Sequence, residues 1–193
     1  IHGAVHFLRG SDLTPLQREE GLTEIVQASD RIGRTVDQML ILTKPLSVSR
    51  SSFHLLPLLE AIFGSGANGM ESSVRIICAR DLRISADPNL LCEVLVHLWS
   101  NACQSAGESG EYTIAAWSSD ENLYISVADN GPGVDDAVRS QLFEPFFTTR
   151  VNGAGLGLPV SLRIMESHGG SIEIGENDPV GTIVTIALPG GVV

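Results

Sequence analysis

Four short stretches of this chain carry residue types suited to metal and phosphate chemistry. Asn101 lies one helical turn beyond His97 in His97-Leu98-Trp99-Ser100-Asn101-Ala102. Residues four apart share a helical face, and a carboxamide oxygen is a hard, neutral ligand suited to Mg²⁺. Taken alone, such an Asn is more often a surface or capping residue. Asp129-Asn130-Gly131-Pro132-Gly133 follows an alternating apolar segment. A carboxylate there can accept a hydrogen bond from an exocyclic amine, and Gly131 and Gly133 let backbone approach a flat ring. The same string is also an ordinary turn. Phe143, Phe146 and Phe147 crowd into an otherwise irregular loop ending at Arg150. That pattern fits either a lid with apolar anchors or a core cluster under a loop. Finally, Gly153-Ala154-Gly155-Leu156-Gly157-Leu158 leads into a helix. Backbone N–H groups freed by alternating glycines, at a positive helix N-terminus, suit phosphate oxygens. This run follows a long loop and not the first strand of a parallel unit, so the dinucleotide fingerprint does not fit.

These stretches need elements to hold them. Asp87-Pro88-Asn89 opens a helix running to about Ala106, with Leu90, Leu91, Val94, Leu95 and Leu98 on one face. Tyr112–Trp117 and Leu123–Ala128 predict a hairpin turning at residues 119–122. Residues 130–155 read as irregular. A helix over Leu156–His168 stops at Gly169-Gly170. Val74–Ala79, Ser171–Ile174 and Thr182–Leu188 read as strands, and Leu55–Phe63 as a helix. Upstream, residues 1–10 have the spacing of a helix end. Thr14-Pro15-Leu16-Gln17 is a helix start with a capping box. The helix that follows carries a seam of Leu22, Ile25, Ser29, Ile32, Val36 and Met39, spaced alternately by three and four. That spacing predicts coiled-coil packing: a helical hairpin pairing with a second copy into a four-helix bundle, the alternative being a helix packed on its own domain. Pro45 ends it. The expected organisation is a helical hairpin over 1–46, a polar linker over 47–52 and one unit mixing helices and strands over 53–193.

Composition narrows the classes. The 193 residues carry 12 Lys plus Arg against 23 Asp plus Glu, a net charge of −11. The hydrophobic fraction of 43% is too high for a disordered chain. An acidic surface disfavours nucleic acid. No stretch reads as a membrane span or a signal peptide. Cys78, Cys92 and Cys103 form no CxxC pair, so neither a zinc site nor a disulfide framework is expected, and a cytoplasmic location is. Residues 47–193 hold seven basic and 17 acidic side chains, nearly all of the excess. An anionic ligand on such a unit needs a metal ion, backbone donors or a few Arg.

In this order and spacing the four stretches resemble the sensor histidine kinases of two-component systems, within the GHKL group of ATPases. Asn101 stands in the N box, 129–133 in the first glycine box, 143–147 in the F box and 153–157 in the second glycine box. Phe-Glu-Pro-Phe-Phe-Thr-Thr-Arg and Gly-Leu-Gly-Leu are similar to the nitrogen-sensor-like class in particular. The resemblance implies an α+β fold: a two-layer sandwich with a mixed five-stranded sheet against three helices, preceded by a helical hairpin. It also implies ATP and Mg²⁺ as cofactors and a response regulator as partner. The γ-phosphate would pass to a His of the dimerisation helix and on to an Asp of the regulator. By the same resemblance Asn101 holds Mg²⁺, Asp129 reads the adenine amino group, with Thr182 through water, and Gly153, Gly155 and Gly157 supply donors to phosphate. Gly131, Gly133, Leu156 and Leu158 complete the nucleotide-binding set, and Phe143, Phe146 and Phe147 anchor the lid. His97 has two readings, a residue orienting a water or a Mg²⁺ ligand and a packed imidazole. Arg150 also has two, a phosphate partner and a solvated loop arginine.

One departure stands out. The family's phosphoacceptor is a His followed by an acidic residue, and none of the five His here fits that pattern. The acceptor is expected upstream of Ile1, with His2 and His6 as outside candidates. Two rival readings follow: a dimerisation and nucleotide-sensing module that transfers no phosphate, and another GHKL ATPase such as an anti-sigma serine kinase.

Overall fold

The computed structural model describes residues 14–64, 73–107, 109–150 and 153–192. It divides into one unit ending at Thr43 and a second beginning at Lys44. The first unit's described part is a single helix, α1 (Pro15–Thr43). Its start is the capping box expected from sequence. Thr14 N donates to Gln17 Oε1 at 3.0 Å, and Gln17 N donates to Thr14 Oγ1 at 3.3 Å. Most of the seam faces solvent: Leu22 is 57% exposed, Ile32 56% and Val36 49%. The expected helix before residue 11, with His2 and His6, lies outside the described residues.

The second unit is built on a mixed sheet. β2 (Ser73–Ile77), β4 (Glu111–Ser119), β5 (Asn122–Asp129), β7 (Thr182–Leu188) and β6 (Ser171–Glu176) lie side by side in that order. β2 runs parallel to β4, and every other pairing is antiparallel. β4 and β5 form the expected hairpin. Its turn residues Asp120 and Glu121 both have positive φ, 50° and 67°, the twist that suits a two-residue connection. Alternation in the sequence fixes the buried face: Tyr112, Ile114 and Ala116 point inward from β4, and Leu123, Ile125 and Val127 from β5.

Three helices cover that face. They are α2 (Leu55–Phe63), α3 (Pro88–Ala106) and α5 (Gly157–Ser167). Leu55, Leu59 and Phe63 bury the apolar stripe of α2. Leu91, Val94, Leu95, Leu98 and Trp99 bury that of α3, and Val160, Ile164 and Met165 that of α5. Each such side chain contributes about 1.5–3 kcal/mol of burial. Trp99 is wedged edge-on between Phe63 and Tyr112, with ring centres 5.4 and 4.8 Å away. This is the expected α+β architecture.

Three elements depart from the expectation. β1 (Ser51–His54) takes the last two residues of the expected linker and pairs antiparallel with β3 (Arg83–Ala86). Ser85 N also donates to Gly191 O, and Ile84 bridges Val192. α4 (Asp136–Arg139) is a single turn inside the region expected to be irregular. These segments are too short to show a period, and partners far along the chain decide their conformation.

Candidate functional site

The placement of Asn101 begins fourteen residues earlier. Asp87 caps α3: its Oδ1 accepts from Asn89 N and Leu90 N at 3.1 and 3.2 Å, and Pro88 follows as the first helical residue. Its Oδ2 accepts from Ser49 N at 3.0 Å. Burial pushes the Asp87 carboxyl up, but the three backbone donors together hold it below the ordinary range. His168, which ends α5, is buried and tied to the same point. Its Nε2 accepts from Asp87 N at 3.2 Å, its Nδ1 bonds Ile164 O at 2.9 Å, and Arg50 donates to its carbonyl. The helices carrying the N box and the second glycine box are thus joined at their far ends.

One stripe of α3, which carries the first stretch, then meets the other three. His97, Asn101, Gln104 and Ser105 recur at spacings of four, three and one, so they share a face. His97 packs on α5: its Nδ1 lies 3.4 Å from Ser161 Oγ, which donates to Gly157 O at 2.8 Å. A Cβ on Gly157 would touch the imidazole, 3.6 Å from its Cγ. Burial lowers the His97 pKa, so the ring is neutral at pH 7. The His97 imidazole thus packs against the start of α5.

Arg150 is exposed in its loop, yet its guanidinium is hydrogen-bonded to α3. Its Nη1 donates to Asn101 Oδ1 at 3.0 Å and to Gln104 Oε1 at 2.7 Å, and its Nη2 donates to Asn101 O at 3.2 Å. A cation therefore sits on the very oxygen expected to bind one. Among the described residues no three His, Cys, Asp or Glu gather into a metal-holding group. That donor set fits Mg²⁺, which binds through one or two protein oxygens and completes its shell with water and phosphate.

Asp129 ends β5 directly across from Thr182. Its Oδ1 accepts from Gly131 N at 2.8 Å, and Thr182 N and the Ser105 hydroxyl also donate to the carboxylate. Burial dominates and raises its pKa, against those donors and the nearby Arg150 charge. Gly131 is squeezed between Ser105 and Asp129, where an added Cβ would come within 2.8 Å of Oδ1. Gly181 leaves no room for a side chain against Asp129 O, and Gly133 has a φ of 83°. Residues 129–133 and 181–182 are therefore in backbone contact.

The F box and the second glycine box also hold each other. Phe146 N donates to Gly155 O at 2.9 Å. A Cβ on Gly155, whose φ is 66°, would lie 2.5 Å from Phe146 C and 2.6 Å from Phe147 O. On Gly153 it would lie 2.5 Å from Thr148 Oγ1. The phenylalanines differ from uniform anchors: Phe143 and Phe147 are half-buried, but Phe146 is 61% exposed, with φ 70°. The left-handed backbone that lets Phe146 bond Gly155 turns its ring outward. Leu156 is buried in the core while Leu158 is half-buried. At the start of α5 the first backbone N–H groups have no partner within the helix.

Sequence reasoning singled out His97, Asn101, Asp129, Arg150 and the glycines. It missed Gln104, Ser105, Ser161 and His168. The signal for Gln104 and Ser105 was present, since both lie one turn beyond Asn101.

Residues 86–191 match the model of one family, described as histidine kinase-, DNA gyrase B-, and HSP90-like ATPase. The chain belongs to this family. Its relatives are sensor kinases: ZraS of Escherichia coli K12 is 34% identical over 86% of this chain and 36% of that protein. AtoS of the same organism is 32% identical over 98% of this chain and 32% of that protein. NtrB of Azospirillum brasilense, a sensory histidine kinase/phosphatase, is 30% identical over 86% of this chain and 46% of its own length. The chain thus spans about a third to a half of the relatives it matches. Among solved structures, the catalytic domain of histidine kinase ThkA has a TM-score of 0.67 and 28% identity, covering 74% of this chain and 96% of that domain. ThkA in complex with the response regulator TrrA gives 0.79 at 25% identity, over 98% of this chain and 56% of that one. Full-length ShkA in complex with AMPPNP gives 0.75 at 25% identity, over 96% and 41%. The second unit is a histidine kinase ATPase domain.

Proposed function

We propose that this chain is the ATP-binding and dimerisation part of a two-component sensor kinase. It binds Mg-ATP, passes the γ-phosphate to a His of a dimerisation helix, and serves a response regulator whose Asp then accepts it. The observation that carries the reading is the single face of α3 on which His97, Asn101, Gln104 and Ser105 meet both glycine boxes and Arg150. Supporting it, ShkA is known with AMPPNP and ThkA with a response regulator.

Phosphoryl transfer requires positioning and charge neutralisation more than covalent help. Mg²⁺ would be held by Asn101 Oδ1 and would neutralise phosphate charge. Asp129, kept in place by Gly131, Thr182 and Ser105, accepts from the adenine amine. Gly131 and Gly133 keep the pocket wall low enough for a flat ring. Backbone N–H groups from Gly153 to Leu158 face phosphate oxygens at the positive end of α5. His97, neutral and packed against Gly157, holds that end against α3. Phe143 and Phe147 seat the intervening loop. The exposed seam of α1 pairs with a second copy, so the active species is a homodimer.

The test is a calorimetric titration with a non-hydrolysable ATP analogue and Mg²⁺. Asn101→Ala should abolish Mg²⁺-dependent binding. Unchanged affinity would overturn the site assignment. Labelled γ-phosphate transferred to a separate peptide bearing the dimerisation-helix His would establish the kinase reaction, and nucleotide binding without any transfer would favour a sensing module.

A further inference from the structure

Gln104 touches neither nucleotide nor Mg²⁺ in the reading above, yet it makes the shortest bond to Arg150, at 2.7 Å. Its own amide is held from behind, where Nε2 donates to Ser100 Oγ at 2.9 Å. The side-chain oxygens of Gln104 and Asn101 and the Asn101 carbonyl therefore form a three-acceptor seat on the last turns of α3. That is the end of a helix where cations are favoured. The planar guanidinium fills the seat with two of its nitrogens.

From this geometry we infer that Gln104 and Asn101 hold Arg150 as a resident cation, and that a magnesium nucleotide must expel it to bind. This rests on the nucleotide-site reading and adds a competition to it. Two positive charges cannot share Asn101 Oδ1 at close range without strong repulsion. Magnesium arrival and Arg150 release are therefore one linked event, and whatever steadies Arg150 in its seat lowers apparent nucleotide affinity. Gln104 is the residue that steadies it. It is exposed, so its loss leaves the fold intact.

The consequence is opposite in sign to that of an ordinary binding-site mutation. In the full chain, Gln104→Ala should tighten binding of a non-hydrolysable ATP analogue by roughly 3- to 10-fold, the net worth of one hydrogen bond. The Mg²⁺ concentration for half-maximal binding should fall in parallel. In an Arg150→Ala background the same substitution should change neither quantity, because no guanidinium is left to steady. Unchanged or weakened affinity for Gln104→Ala in the native background overturns the inference. So does equal tightening in both backgrounds. If the native chain binds no adenine nucleotide, the reading of the site fails and takes this inference with it. Normal binding without the Gln104 effect refutes the inference alone.

Discussion

Replacing Asp87 with Ala removes a carboxylate shared by three backbone N–H groups, those of Ser49, Asn89 and Leu90. Losing the cap on α3 costs about 1 kcal/mol and up to about 2. Losing the hydrogen bond from the exposed Ser49 N–H costs about 0.5–1.5 kcal/mol more. The expected total is about 1.5–3.5 kcal/mol. Both tryptophans of the chain, Trp99 and Trp117, lie in the second unit, so intrinsic fluorescence reads its unfolding without interference from α1. With a urea slope of about 1–3 kcal/mol/M, the midpoint should fall by on the order of 1–2 M. Asp87→Asn keeps one acceptor oxygen and should lose less. The acid limb gives a second check. The folded carboxyl titrates below its ordinary value of 3.8, so its contribution is present above that pH and lost as pH falls through it toward the folded value. That part of the acid destabilisation should vanish in Asp87→Asn. A cost under about 1 kcal/mol for Asp87→Ala, or an acid limb identical in Asp87→Asn, would refute the view that this carboxylate anchors the helix bearing Asn101.

Two further expectations concern nucleotide binding. Gly155→Ala forces a Cβ against the Phe146 and Phe147 backbone at a φ of 66°. It should cost about 1–3 kcal/mol of local strain and weaken ATP-analogue binding at least tenfold, as read by calorimetry; native-like binding would show that the two boxes need not touch. Asp129 titrates above the ordinary carboxylate range because it is buried. Analogue affinity should therefore fall on acidification at a higher pH than for an exposed Asp, and Asp129→Asn should lose most of the affinity at pH 7. A flat pH profile would remove Asp129 from the site.

Much of the fold was legible in sequence. Thr14, Gln17, Asp87 and Pro88 mark helix starts because capping is local chemistry. Tyr112 to Val127 mark a hairpin because alternation with period two is local geometry. The glycines and Asn101 were singled out as site candidates, since backbone freedom and a neutral oxygen ligand are properties of single residue types. β1, β3 and α4 were not legible, being too short to carry a period. Nor could local pattern place Arg150 on Asn101 and Gln104, turn Phe146 outward, or bury His168 between Asp87 and Ile164.

The same division holds for function. By itself the sequence determined which groups are present and in what order: an amide oxygen, an acid at a strand end, two glycine-rich runs and an acidic background. Only the tertiary structure decided which of those groups meet. Helical spacing puts Asn101 and Gln104 on one face, but the loop that brings Arg150 to them returns 46 to 49 residues later. That distance is closed by the packing of α3 and α5 on a common sheet, a cooperative burial that no local stretch of chain encodes.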